Sequence, residues 1–238
     1  VHLGDDPGAT NLRVVLDPLN LELVRAWRPT LVLEGPARAE VDASGRLAHG
    51  IRFLADLGHG SDEGASRVVL SGSARRDAAE GWDLDVHGEL APLSFALLHQ
   101  LAPAVSAGGA VSGPVQVVGS LGDLRVTGQL ATSEGTVAVD GRMDLANPSG
   151  PYRLEAEAQG LALSGLVAGL PSPSLWTGRL ELEGRGLQPA SMEASGFLDA
   201  RVSRVGGLLV DTLATRMRIA GGVLSLDTLA ARLGGFDV

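Results

Sequence analysis

Short stretches that alternate aliphatic with polar residues recur along the whole chain. This period-two pattern limits what it can fold into more than any other feature. Arg179-Leu180-Glu181-Leu182-Glu183 is a clean instance. Thr136-Val137-Ala138-Val139-Asp140 is a second, and its alternation runs on past Gly141 to Met143 and Leu145. Arg216-Met217-Arg218-Ile219 and Val223-Leu224-Ser225-Leu226-Asp227 repeat it. Successive side chains of a strand point to opposite faces, so these segments put aliphatics on one face and charge on the other. Sheets of that kind are usually antiparallel, with one dry face and one wet one. The 33 glycines and 12 prolines punctuate the pattern at short intervals, the rhythm of many short strands joined by turns.

Three segments break the rhythm: Pro18 to Trp27, Pro92 to Leu101, and Leu161 to Leu170. Their apolar residues fall at helical spacing, as in Leu19, Leu23, Val24 and Trp27, or Leu93, Leu97, Leu98 and Leu101. Each is followed by proline, at Pro29, Pro103 and Pro171, which is a stop signal. The spacing predicts three short helices. It also exposes an internal repeat. A shift of 74 residues lays Pro18 on Pro92, Leu23 on Leu97, Trp27 on Leu101, Pro29 on Pro103, Gly35 on Gly109 and Gly45 on Gly119. A third copy fits less well, with Leu161 and Pro171 following Leu93 and Pro103 by 68 residues. A strand precedes each helix, at Asn11 to Leu16, Trp82 to Leu90 and Tyr152 to Gly160, and several strands follow it. The chain therefore reads as one continuous array over 1–238, with approximate repeats 10–80, 81–151 and 152–238. Such arrays are held together between neighbours. It starts at Val1 rather than at a methionine, which reads as a segment of something longer.

Composition excludes several functions. The net charge is −9, and no basic stripe for a nucleic acid or polybasic patch for an anionic membrane is visible. Without cysteine there is neither disulfide nor thiolate chemistry. No apolar run is long enough for a membrane-spanning helix, and no signal peptide is seen. The five histidines, His2, His49, His59, His87 and His99, form no ligand motif. Asp56, His59, Asp62 and Glu63 come nearest to a metal cluster, but Gly58-His59-Gly60-Ser61-Asp62-Glu63-Gly64 has the composition of a solvated hairpin loop. Leu163-Ser164-Gly165 lacks the first glycine of a nucleophile elbow. Gly206-Gly207 and Gly221-Gly222 fall between strands, as hairpin turns do, rather than opening a helix around phosphate. The expectation is a protein that is not an enzyme, with no catalytic residue, no metal and no cofactor.

A sheet with one apolar face must cover it. A second sheet, helices, or a bound apolar ligand would each serve. Three short helices are too few for about a dozen strands. Aromatics make up only 3% of the chain, which is low for a sandwich core. An aliphatic lining suits acyl chains: each buried methylene is worth about 0.8 kcal/mol, so a sixteen-carbon chain gains on the order of 12 kcal/mol by leaving water. At about 4.8 Å per strand, a dozen strands extend roughly 60 Å, the dimension of a conduit. The alternation assigns its lining to Leu84, Val86, Val115, Val117, Val137, Val139, Met143, Leu145, Leu180, Leu182, Met217, Ile219, Leu224 and Leu226. The expected fold is mainly β: an elongated, twisted antiparallel β-groove, or β-taco, built of repeats with three short helices.

Tyr152-Arg153-Leu154-Glu155-Ala156, the segment to Pro171, and Trp176-Thr177-Gly178-Arg179-Leu180-Glu181-Leu182-Glu183-Gly184 together resemble the repeats of the TamB and AsmA-like family. Gly113-Pro114-Val115-Gln116-Val117-Val118-Gly119 with Leu124-Arg125-Val126-Thr127-Gly128 resembles them too, as does the stretch from Val210 to Asp227. The resemblance covers nearly the whole chain from Asn11 onward. It implies a repeating β-groove of the Gram-negative envelope, anchored in the inner membrane and crossing the periplasm, that carries phospholipids toward the outer membrane. TamB is the translocation and assembly module that also meets an outer-membrane barrel protein, so the implied partners are phospholipid acyl chains and, through other regions, such a barrel. The family's N-terminal membrane helix and barrel-binding domain are not recognisable here. Two other readings remain open: a scaffold that chaperones outer-membrane protein assembly, and a β-sandwich adhesion module.

Overall fold

The computed structural model describes residues 8–19, 35–46, 49–60, 65–77, 81–101, 109–133, 135–163, 173–186, 192–205, 208–221, 223–234 and 236–237. Among the described residues fourteen strands and one helix are bounded: β1 (Gly8–Leu16), β2 (Ala37–Arg46), β3 (Gly50–His59), β4 (Ser66–Asp77), β5 (Gly81–Ser94), α1 (Phe95–Leu101), β6 (Ala110–Ser120), β7 (Asp123–Ala131), β8 (Thr136–Met143), β9 (Pro151–Ala162), β10 (Ser174–Arg185), β11 (Glu193–Val205), β12 (Leu208–Ala220), β13 (Val223–Leu233) and β14 (Phe236–Asp237). All fourteen form one sheet, and their order in space is their order in sequence. Every pairing is antiparallel. β1 and β14 stand at opposite edges, so the sheet is open and not a barrel. This is the mainly β, open antiparallel architecture that the alternation predicts. Among the described residues no second sheet faces it.

The helical segments need correction. Of the three, only the one from Pro92 lies substantially among the described residues, and its helix begins three residues late, at Phe95. Pro92, Leu93 and Ser94 complete β5. The register there skips from Leu90–Gly113 to Leu93–Val111, so β5 bulges at Ala91-Pro92. A bulge tolerates the missing proline N–H, and a residue preceding proline avoids the helical region. Ser94 then caps the helix, its Oγ accepting the Ala96 N–H at 3.2 Å. In the third segment Leu161 and Ala162 end β9, and helical backbone begins two residues late, at Leu163. Residues 20–34 and 164–172, which carry the rest of the first and third segments, lie outside the described residues.

Strands β1, β5, β9 and β13 begin at residues 8, 81, 151 and 223, at intervals of 73, 70 and 72. Landmark glycines that coincide on a shift of 74 also share backbone conformation: φ is 108° at Gly35 and 102° at Gly109, then 118° at Gly45 and 119° at Gly119. β1, β5 and β9 run in the same direction, so all three end at the same rim of the sheet. The buried apolar clusters sit at that rim. Phe95 of α1 packs with Leu90 and Val111, against Val68, Leu98, Val115 and Leu130. Trp176 and Leu161 pack with Ala158 and Ala200, against Val137, Leu180, Leu198 and Leu213.

Candidate functional site

Register decides which side chains share a face, and here it assembles one unbroken apolar line. Leu12 stands opposite Ala43, Ala43 opposite Phe53, and Phe53 opposite Gly72. The line continues through Val86, Val117, Val126, Gly141 and Leu154. It ends through Leu182, Gly196, Met217 and Leu226. Every strand from β1 to β13 contributes one residue, and none is polar. Thirteen strands at about 4.8 Å make this line close to 60 Å long.

The neighbouring line on the opposite face is Arg13, Asp42, Leu54, Ser71, His87, Gln116, Thr127, Asp140, Glu155, Glu181, Phe197, Arg216 and Thr228. Only Leu54 and Phe197 in it are apolar. The two faces of one sheet therefore differ in chemistry from end to end.

Of the residues assigned to the lining, Leu84, Val86, Val115, Val117, Val137, Val139, Met143, Leu180, Leu182, Met217, Ile219 and Leu226 all stand on the apolar face. All but Leu226 are half-buried; Leu226, near the edge, is exposed. Leu224 stands opposite Ile219 in the register, and its side chain lies outside what the structure describes. Leu145 is the exception. β8 ends at Met143, and Asp144 Oδ1 accepts the Ala146 and Asn147 N–H groups at 2.9 and 3.1 Å. That local turn removes Leu145 from the strand, leaving it 43% exposed beside Leu121, whose carbonyl its N–H meets at 2.7 Å. The face also holds residues the alternation could have named, among them Val41, Phe53, Leu57, Leu70, Val126, Leu154 and Leu198. Their signal was present but short, and interrupted by glycine or alanine on the same face.

The polar face carries two hollows. One, of about 940 Å³, is bordered by His87, Gln116, Thr127, Asp140, Glu155 and Arg179. The other, of about 860 Å³, is bordered by Asp123, Arg142, Arg153, Glu183, Arg185 and Arg218. Several of their charges are paired, across strands or within β9. Arg125 binds Asp140 at 2.6 Å, Arg142 binds Asp123 at 2.7 Å, and Glu155 receives both Arg153 and Arg179. The Arg125 hydrogen bond holds the Asp140 carboxyl below the usual carboxylate range, and Arg67 does the same for Asp56. A general acid needs the opposite shift, so neither carboxylate is poised for that role. Burial pushes the Tyr152 phenol up, and its buried Oη has no hydrogen-bond partner among the described residues.

The metal-like cluster does not assemble. Asp56 lies on the polar face in contact with Arg67, whereas His59 falls three residues on, on the apolar face. Asp62 and Glu63 lie outside the described residues. No group of acidic and histidine side chains among the described residues is arranged to hold a metal ion, and no described helix is long and apolar enough to cross a membrane. No family model matches this sequence, and neither the curated proteins nor the solved structures compared with it show significant similarity.

Proposed function

We propose that the apolar face carries phospholipid acyl chains, and that the chain is a segment of a hydrophobic path across the periplasm that supplies the outer membrane. The observation that carries this reading is the single apolar line from Leu12 to Leu226, with no polar side chain in thirteen strands. An ordinary core would place a second layer over such a face, and the described residues supply only the cover at one rim, around Phe95 and Trp176. An acyl chain laid along the face regains on the order of 0.8 kcal/mol for each methylene it hides from water. Polar headgroups then remain at the rim, where charge is tolerated. The resemblance to the TamB and AsmA-like repeats supports the same reading, including the periplasmic setting and a barrel partner reached through other regions. The face needs no catalytic residue, metal or cofactor for this work.

Mass spectrometry of protein purified under gentle extraction tests it. Phospholipid is expected to co-purify, and Val139→Asp, Leu182→Asp and Ile219→Asp are each expected to lower its amount by about tenfold or more, since a carboxylate in an apolar lining costs well over the 1.4 kcal/mol of one decade. Photocrosslinkers at the same three positions sort the alternatives. Lipid adducts support the conduit; polypeptide adducts without lipid would transfer the face to a chaperoning scaffold.

A further inference from the structure

The apolar face carries one fixed charge. Among the described residues that keep regular register, Arg76 is the one arginine, lysine or carboxylate standing on it. It alternates with Val68, Leu70, Gly72 and Ala74 along β4, and no bulge interrupts the pairing of β4 with β5 over these positions. Its neighbour Arg75 stands on the polar face and is neutralised there, with Nη2 at 2.9 Å from Asp83 Oδ2. Arg76 is exposed and has no hydrogen-bond or ion-pair partner among the described residues.

Arg76 is next to last in β4 and stands opposite Trp82, second in β5 and 38% exposed. Inward from this pair come Ala74–Leu84, Gly72–Val86, Leu70–Gly88 and Val68–Leu90, all apolar. Leu90 closes the far end in the buried cluster with Phe95 and Val111. A cation buried in such a face would be costly, but at a rim its head stays in water while its stem covers apolar surface. The two ends of this strand pair therefore differ. One is covered by a buried aromatic cluster, and the other is open and ends in an unpaired cation across from an indole.

We infer that Arg76 binds the phosphodiester of a phospholipid whose acyl chains lie inward over β4 and β5. The inference rests on the reading of the face as a lipid path and adds the lipid's orientation, with the headgroup at the β4–β5 hairpin and the chain ends toward Phe95. A guanidinium meets phosphate through two parallel N–H···O bonds. Trp82 offers the ring suited to such a boundary, apolar over its body and polar at its N–H. The length also fits. Arg76 and Val68 are eight residues apart, roughly 26 Å at about 3.3 Å per residue. An acyl chain in one leaflet occupies roughly 15 Å, half of a hydrocarbon core, so it ends short of the Phe95 cluster.

Dodecylphosphocholine and dodecyl maltoside, kept below their micelle concentrations, are the probes: their alkyl chains are identical and only the first has a phosphate. Calorimetry on the whole chain measures both affinities. Arg76→Gln is expected to weaken phosphocholine binding about tenfold, the loss of a charged hydrogen-bond pair, and to change maltoside binding by less than about twofold. Arg76→Lys is expected to recover part of the loss. Arg75→Gln, which removes an exposed ion pair on the other face, is expected to leave both affinities unchanged. Hydrogen exchange across β3 to β6 that matches the unaltered protein shows that each variant is folded. The inference is overturned if Arg76→Gln weakens both probes equally or neither, or if Arg75→Gln has the same effect. It is also overturned if an excess of inorganic phosphate displaces the phosphocholine, which would make this a site for free phosphate. In each of these cases, maltoside binding that Leu182→Asp abolishes leaves the apolar reading of the face standing. If the unaltered protein binds neither probe, both readings fall.

Discussion

At the scale of single residues, two positions show how backbone conformation was and was not written in the sequence. Gly119 has φ of 119°, and a Cβ added there would run into the Asp123 carbonyl oxygen across the hairpin. Its counterpart Gly45 has φ of 118° and meets the Gly50 carbonyl the same way. Glycine alone accepts both conditions, which is why the two stood out when the repeats were aligned. Gly119→Ala is expected to cost about 1–3 kcal/mol in urea unfolding. Val202 is the opposite case. It has φ of 43° and is 76% exposed. A β-branched residue rarely adopts that conformation. β11 carries one residue too many here, since Leu175 pairs with Arg204 while Gly178 pairs with Ala200. Ser203 locks the bulge from inside, its Oγ accepting the Thr177 N–H at 3.1 Å. Nothing in Arg201-Val202-Ser203 announces a bulge, so no reading of alternation would find it. Because the Val202 side chain packs against little, Val202→Gly is expected to stabilise the protein by about 1 kcal/mol, the left-handed penalty less the entropy of glycine. A lower melting temperature in that variant would contradict the strained geometry.

At the scale of elements, strands were legible and their partners were not. Alternation alone located β8, β10, β12 and β13, because each keeps its aliphatics on one side for at least four residues. Asp56 and His59 looked like companions in sequence, and register put them on opposite faces. The helix shows a different failure. Leu93, Leu97, Leu98 and Leu101 have helical spacing, but Leu93 belongs to a strand that continues past its bulge. The stronger signal was Ser94, whose Oγ caps the helix while its own N–H reaches Ser66 Oγ at 2.9 Å. Phe95 then anchors α1: its ring is buried under Leu90 and Val111, and its N–H bonds the Gly109 carbonyl at 2.9 Å, closing the base of the excursion. Phe95→Ala is expected to cost about 3 kcal/mol, at the low end for a buried phenylalanine because the site lies at a rim that can collapse. Hydrogen exchange should show the loss concentrated at the ends of β5 and β6 that meet α1, with β10 to β12 little affected.

At the scale of the whole molecule, a meander of fourteen strands is a one-dimensional object. Each strand packs on the strands before and after it, and among the described residues no strand pairing joins distant parts of the chain. Stability in such an array is a sum of local terms, so it need not be uniform. The buried cluster of Ala158, Leu161, Trp176 and Ala200 lies in β9 to β11, and its surrounding contacts reach from Val137 in β8 to Leu213 in β12. The smaller cluster around Phe95 covers β4 to β7. β1 and β13 belong to neither, and the exposed apolar residues include Val15, Leu16, Val223, Leu226 and Leu229 at those two ends. The outer strands β1 and β13 are therefore less buried than the strands between them. Protection from native-state hydrogen exchange is expected to peak in β9 to β11, fall through β5 to β7, and be lowest in β1 and β13. Unfolding in urea should correspondingly be broad, with an m-value below that of a globular domain of equal length that unfolds as one unit. A sharp single transition with equal protection from β1 to β13 would mean that the strands are coupled over more than nearest neighbours, and that the apolar face is covered in solution by a layer spanning the whole sheet.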